Sequence, residues 1–67
     1  MDIRTATLLA IKKNLWLRKR DRTEDWCLHV AAGSVYRNEY YEQIDLDARD
    51  CMGDDWYLVD DNGNEVN

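Results

Sequence analysis

The segment from Asp47 to Val59 places the tightest constraint on the fold. Asp47 is suited to cap a short helical turn, and Asp50, three residues later, supplies the acidic partner of a capping box. Gly53 provides the left-handed residue that ends such a turn. The run Trp56–Val59 is aromatic and β-branched, which predicts a strand. We therefore expect one capped turn that leads into one buried strand.

An N-terminal helix is predicted after the capping residue Asp2. Its apolar positions recur at helical spacing. They are Ile3, Ala6, Leu9 and Ala10, widened to one side by Leu8 and Ile11. Two lysines and Asn14 are expected to close the helix, with the cations at its negative end.

Three further strands are expected between this helix and the capped turn. They are Leu15–Arg18, Trp26–Val30 and a weaker one over Val35–Tyr41, separated by turns over 21–25 and 31–34. Alternation in the second strand places its tryptophan, leucine and valine on one face, with Cys27 and His29 on the other. After Val59, an Asn-Gly pair signals a type I′ hairpin, so residues 60–67 form a short hairpin or a frayed tail.

The order of these elements predicts the fold class. Consecutive strands joined by short turns indicate an antiparallel sheet. We expect an α+β fold: a small antiparallel sheet of about four strands, with the N-terminal helix and the short capped turn packed on one face.

The length of 67 residues allows a single domain, residues 1–67, with a small core. A chain of this length buries only about 60% of its unfolded surface, so it needs further stabilisation. Its two cysteines and one histidine indicate neither a disulfide framework nor a zinc site. Three tryptophans and four tyrosines are many rings for such a core, and aromatic residues are enriched where subunits meet. A homo-oligomer, a dimer or a tetramer, is therefore expected.

Charge is distributed unevenly along the chain. Residues 1–38 carry eight Lys or Arg and four Asp or Glu, whereas residues 39–67 carry one and ten. This asymmetry predicts head-to-tail pairing between subunits or two different partner surfaces, with a solvated acidic face as the simpler alternative. The net charge of −5 disfavours polymeric nucleic acid as a partner, because like charges repel.

Hydropathy bears on the compartment. No apolar run approaches the ~20 residues that a membrane span requires. No signal-peptide pattern is present either. We expect a cytoplasmic protein that does not engage membranes.

Groups suited to catalysis are scarce. Ser34 and His29 are the only serine and histidine, and their spacing alone assembles no nucleophile–base pair. The adjacent carboxylates at 54–55 and 60–61 would point to opposite faces of a strand, so neither pair predicts an acid–base dyad. No catalytic residue, metal or cofactor is predicted.

Rings and guanidinium groups together form the strongest binding signal. A phosphorylated nucleotide needs fixed cations for its phosphates and flat surfaces for its base. Alternation along the first strand places a ring and two arginines on the face away from the helix. The candidate ligand-binding residues are Trp16, Arg18, Arg20, Trp26 and Tyr36. The alternative is that the tryptophans are core or subunit-contact residues and the arginines a solvated edge.

The segment Asp50–Val59 resembles the C-terminal signature of a family of small phage proteins that counter the bacterial Thoeris defence. That signature is an acid, two apolar residues, a small residue, an acid, Asp-Trp and an apolar strand, here Asp50-Cys51-Met52-Gly53-Asp54-Asp55-Trp56 with Val59. The N-terminal half is also similar, with a helix over Thr5–Asn14 and a strand that ends in Arg18. Asn14 stands where the family usually has glycine.

The resemblance implies an oligomeric protein without enzymatic activity. Members of that family sequester cyclic signalling nucleotides of bacterial immunity, notably glycosidic cyclic ADP-ribose and in some cases cyclic oligonucleotides. The ligand is held uncleaved in pockets between subunits. Arg18 and the pair Asp55-Trp56 match the family pattern. Asp55 thereby joins the candidate ligand-binding residues, although it is also placed to hydrogen-bond a neighbouring turn, and Trp56 is better placed in the core.

Two other function classes remain open. An acidic inhibitor would use the carboxylates of residues 39–61 to mimic nucleic-acid phosphates and bind a basic protein, with strong salt dependence. A ligand-free structural or assembly subunit would show no ligand-induced rise in melting temperature.

Overall fold

A computed structural model describes residues 1–22, 26–31 and 35–66 of the chain. It contains one helix, α1, and five short strands, β1 to β5. Their bounds are α1 Ile3–Lys13, β1 Trp16–Lys19, β2 His29–Ala31, β3 Val35–Arg37, β4 Trp56–Val59 and β5 Glu65–Val66. The predicted α+β class is confirmed. The predicted turns over 21–25 and 31–34 fall partly on residues 23–25 and 32–34, which lie outside the described residues.

Helix α1 begins and ends as the sequence predicts. The Asp2 carboxylate accepts the backbone N–H of Thr5 at 2.7 Å, which satisfies one of the free donors of the first turn. Asn14 ends the helix in the left-handed region, with φ 56°. Glycine adopts this conformation most readily and asparagine next, so asparagine is a suitable substitute at this position.

The apolar stripe of α1 is narrower than predicted. Ala6 and Ala10 are buried against the sheet, where their small side chains allow the helix backbone to approach closely. The expectation that Leu8 and Ile11 widen this stripe is wrong, because their side chains are 60% and 55% exposed. Both residues lie on the opposite side of the helix.

The strands form two small antiparallel sheets rather than the single sheet of about four strands that we predicted. One sheet has the order β1-β4-β5, and the other pairs β2 with β3. A single bridge joins them, in which Leu17 and Leu28 exchange backbone hydrogen bonds of 2.6 and 2.8 Å. Of the predicted strand Trp26–Val30, only Leu28 pairs with β1, and β2 begins at His29. No continuous ladder therefore joins the two sheets.

The core lies between α1 and one face of the joined sheets. Leu17, Leu28, Trp56 and Leu58 are buried there beneath the helix alanines. The Trp56 indole is 1% exposed and donates a hydrogen bond to the Asp50 carbonyl at 2.9 Å. The structural role preferred for Trp56 is confirmed.

The predicted capping box is present. The backbone N–H of Asp50 donates to the Asp47 carboxylate at 2.9 Å, and the Asp47 N–H donates to the Asp50 carboxylate at 3.3 Å. Residues 48–51 make one hydrogen-bonded turn and no longer helix. Gly53 follows with φ 83°, as predicted, and the chain then enters β4.

The C-terminal segment forms a hairpin between β4 and β5, with Val59 opposite Glu65. Its turn differs from the predicted type I′, which requires positive φ at both central residues. Within this turn, only Gly63 has positive φ, at 81°. The Asp60 carboxylate accepts the N–H groups of Asn62 and Asn64, at 2.9 and 3.0 Å. These bonds favour a longer loop, in which Gly63 alone is left-handed.

Strand β3 is shorter than the predicted Val35–Tyr41 and ends at Arg37. The Asn38 side chain accepts the N–H groups of Tyr40 and Glu42, at 2.9 and 3.0 Å. Such side-chain bonds to the backbone compete with a strand ladder and favour a turn.

Candidate ligand site

The sheet face away from α1 carries most of the ring and guanidinium chemistry. Alternation along β1 brings Trp16 and Arg18 to this face, as predicted, while Leu17 enters the core. Tyr57 lies opposite Arg18 in the β1–β4 ladder. The Trp16 and His29 rings form an edge-to-face contact, with ring centroids 4.7 Å apart. Of these residues, Trp16 and Arg18 line the candidate site.

A cavity of about 330 Å³ opens on this face. Its lining consists of Trp16, Arg18, Cys27, Glu39 and the hairpin loop Asp60-Asp61-Asn62-Gly63. Arg18 is only 8% exposed, and its guanidinium carbon lies 5.8 Å from the centre of the Tyr57 ring. Within the described residues, no carboxylate lies within 4.0 Å of this guanidinium. The cavity therefore presents a largely buried cation beside an indole ring.

The remaining charges of the lining are negative. The Asp61 carboxylate accepts the Trp16 indole N–H at 2.9 Å, which fixes the ring against the hairpin loop. Asp60 is occupied in holding that loop together. Glu39 stands exposed at the rim. One guanidinium among three carboxylates favours a ligand that combines one anionic group with several hydrogen-bond donors, such as ribose hydroxyls or base N–H groups.

Arg20, predicted as a second cation of the site, does not line the cavity. Its guanidinium stacks on the Tyr57 ring at 4.2 Å and donates to Glu65 at 2.8 Å. The hydrogen bond to Glu65 raises the pKa of Arg20 above its usual value. Arg20 thus joins the end of β1 to β5.

Trp26 and Tyr36, also predicted site residues, lie elsewhere. Trp26 packs on the core indole of Trp56, with ring centroids 5.6 Å apart. The Tyr36 hydroxyl shares a hydrogen bond of 2.8 Å with the Thr7 hydroxyl of α1. Tyr36 borders a second cavity, of about 420 Å³, with Ile44 and Leu46. Both rings stabilise the packing between elements.

Asp55 is bonded within the chain. Its carboxylate accepts a hydrogen bond of 3.0 Å from Lys19, which also lies 3.1 Å from Asp21. The hydrogen bond from Lys19 lowers the pKa of Asp55, and the same bond raises the pKa of Lys19. This network lies beside the capped turn, away from the cavity lining.

Of the six predicted site residues, the structure brings two together in one cavity, Trp16 and Arg18. Sequence reasoning did not include the other contributors, which are Cys27, Glu39 and the loop 60–63. The available signal for the loop was the Asn-Gly pair, which marks a tight turn but not the strand beside which the turn lies. Only the pairing of β1 with β4 brings that turn to Trp16.

Across the parts of the chain that the structure describes, no group of three or more His, Cys, Asp or Glu is placed to hold a metal ion. Nor does that part of the chain contain a helix with the length and apolarity needed to cross a membrane. His29 lies between the Trp16 and Tyr41 rings, and its buried Nε2 meets no hydrogen-bond partner there.

Comparison of the chain with protein-family models, curated proteins and solved structures finds no match.

Proposed function

We propose that the chain is a binding protein that sequesters a cyclic nucleotide immune signal, a cyclic ADP-ribose isomer or a cyclic oligonucleotide, without cleaving it. The resemblance to the phage sponge family supports this proposal. So does Asn14, which stands where that family usually has glycine and adopts the left-handed conformation that glycine favours. We place the protein in the cytoplasm, where it would meet such signals directly. If a phage encodes it, this is the cytoplasm of the host cell.

The observation that carries the proposal is the shared cavity of Trp16 and Arg18. A buried guanidinium forms stronger charge-assisted hydrogen bonds than an exposed one, because water competes less for its N–H groups. The indole offers a face for a base, and base–aromatic stacking contributes about 1–3 kcal/mol. Together the two groups match the phosphate and the base of one nucleotide.

The volume of the cavity supports a shared site. About 330 Å³ lies at the small end of the range for ligand pockets, roughly 300–1,000 Å³. A cyclic nucleotide would project from a pocket of this size toward a neighbouring molecule. A homo-oligomer in which a second copy covers the exposed part of the ligand is therefore part of the proposal.

A thermal-shift panel tests the binding of a cyclic nucleotide. The purified chain would be heated with cyclic ADP-ribose isomers, cyclic di- and trinucleotides, and linear ADP-ribose and NAD as controls. We expect one cyclic compound to raise the melting temperature by several degrees, because a ligand at 100 times its Kd stabilises the folded state by ~2.7 kcal/mol. The compound should be recovered intact after heat release. No shift with any compound, or recovery of a cleaved product, would contradict the proposal.

A second candidate function is favoured by the exposed carboxylates. Glu39, Glu42, Asp45 and Asp54 are exposed and form no ion pair with any described cation. These carboxylates would mimic nucleic-acid phosphates and attract a basic DNA-binding protein. Capture of such a protein from bacterial lysate would favour this inhibitor function over sequestration of a nucleotide. The binding should weaken strongly as the salt concentration rises from roughly 50 to roughly 300 mM.

A further inference from the structure

Two exposed patches lie on different sides of the molecule. Each combines apolar side chains with charged ones, which are positive in one patch and negative in the other. The first is the outer helix face, which consists of Arg4, Leu8, Ile11 and Lys12. These residues follow the i, i+4, i+7, i+8 spacing of one helix side, opposite the buried alanines. Helix α1 contains no acidic residue, so this patch combines two aliphatic side chains with positive charge only.

The second patch is the tyrosine loop, residues 38–42. Tyr40 and Tyr41 are the most exposed large apolar side chains of the described residues, at 73% and 74%. Tyr41 has φ 64°, a conformation that few residues other than glycine adopt. The loop is held in place by the Asn38 bonds described above and by Arg37, which donates to the Tyr41 carbonyl at 2.7 Å. Its rings are thus presented by a fixed backbone.

The tyrosine loop carries the complementary charge. Glu39 and Glu42 flank the two rings and are exposed. Rigid tyrosines supply large contact area at a small loss of conformational entropy, which suits them to recognition. A partner that fits this loop presents aliphatic side chains among cations. The outer helix face has this composition.

The two patches cannot meet within one molecule. Ala6 and Ala10 face the sheet, so the outer helix face points away from it. The Tyr41 ring contacts His29, whose side chain lies on the sheet face that α1 does not cover. A contact between the patches therefore requires two copies of the chain.

We propose that the outer helix face of one copy binds the tyrosine loop of the next, in a head-to-tail contact. Such a contact is heterologous, so it produces a ring where its rotation closes and an open chain of subunits where it does not. The complementary charges and the matched apolar residues specify this occupant over an unrelated protein. Both patches are small, which places the association among weak interfaces.

The contact has a consequence for the cavity, which rests on the proposed function. Glu39 belongs to both the tyrosine loop and the cavity lining. A docked helix would bring Arg4 and Lys12 of the second copy near a rim that is otherwise acidic. These cations would supply the positive charge that a second phosphate requires.

The test uses two variants, each lacking one patch. Leu8→Asp/Ile11→Asp places negative charge on the outer helix face, and Tyr40→Ser/Tyr41→Asn removes the rings while retaining a residue that tolerates positive φ. Met52→Asp is the matched control, because Met52 is an exposed apolar residue outside both patches. Circular dichroism checks folding, and Leu8→Ser/Ile11→Ser replaces the acidic pair if that variant does not fold.

Sedimentation equilibrium would be measured at roughly 10–500 µM, the range in which weak interfaces associate. We expect the wild type and Met52→Asp to show mass that rises with concentration, and each double variant alone to remain monomeric. An equal mixture of the two variants retains one intact contact and should form heterodimers and nothing larger. A monomeric wild type, oligomers of either double variant, or a mixture that stays monomeric would overturn the proposal. Ligand shifts of the wild type test the proposed function separately, because they are measured whether or not the wild type proves to be monomeric.

Discussion

Asp50 is bonded through each of its polar groups. Its carboxylate accepts hydrogen bonds from the Arg22 guanidinium, at 2.5 Å, and from the backbone N–H of Asp47. Its own backbone N–H donates to the Asp47 carboxylate. Its carbonyl oxygen accepts the indole N–H of Trp56. The Arg22 guanidinium in turn stacks on Trp26 at 4.9 Å. Asp50 therefore has a structural role, since it joins the capped turn to Arg22 and to the core indole of Trp56.

Acid should destabilise the protein through Asp50. Burial opposes ionisation of this carboxyl, but the hydrogen bonds from Arg22 and Asp47 outweigh burial and hold its pKa below the ordinary 3.8. The stabilisation is fully present above pH 3.8 and is lost as pH falls through the lower folded-state pKa. We expect Asp50→Asn to be less stable than the wild type at pH 7 and to lose less stability between about pH 4 and 2.

Urea unfolding followed by tryptophan fluorescence at several pH values measures this difference. Asp54→Asn is the matched control, because Asp54 is exposed and its carboxyl accepts no hydrogen bond from the described residues. The control should follow the wild-type pH dependence. If the free energy of unfolding of Asp50→Asn fell with acid as steeply as that of the wild type, Asp50 would contribute nothing to the acid sensitivity.

At the scale of elements, the turns before and after β4 both depend on a left-handed glycine. Gly53 and Gly63 have φ of 83° and 81°. A Cβ at position 53 would lie 3.4 Å from the Asp55 carboxylate, which Lys19 holds in place. A Cβ at position 63 would meet nothing within 4 Å. Neither site is crowded, because 3.4 Å is an ordinary van der Waals separation, so backbone strain alone opposes a side chain at either position.

Alanine at either glycine should destabilise the fold by about 1–2 kcal/mol, because alanine is strained in the left-handed region. The two alanine variants should lose similar amounts of stability, since a Cβ meets no unusually close contact at either position. Gly63→Asn, which tolerates this conformation, should lie close to the wild type. Free energies of unfolding from urea titrations provide the comparison. An alanine variant as stable as the wild type would refute this interpretation of the turns.

Elements with local signals could be predicted from the sequence. The cap of α1, the Asp47–Asp50 box and the strand at Trp56 each depend on residues a few positions apart. The partner of Arg20 is Glu65, 45 residues away, and no local pattern reveals that pairing. The division into two sheets and the separation of the six candidate residues depend on the same long-range pairings.

At the scale of the whole molecule, a small core leaves both outer surfaces available for contacts. Helix α1 covers one face of the joined sheets, and the other face carries the cavity with Trp16 and Arg18. The three cations of residues 19–22 are already paired, Lys19 with Asp55, Arg20 with Glu65 and Arg22 with Asp50. Arg18 is therefore the cation best placed to receive an anionic ligand.

Calorimetric titration of the wild type and Arg18→Gln with the cyclic nucleotide that gives the largest thermal shift tests the binding role of this cavity most directly. Loss of a charged hydrogen bond removes about 1.5–3 kcal/mol, so Arg18→Gln should bind at least roughly tenfold more weakly. Arg49→Gln, the same change at an exposed arginine outside the cavity, should bind like the wild type. Wild-type affinity in Arg18→Gln, with its fold intact by circular dichroism, would contradict the assignment of the site.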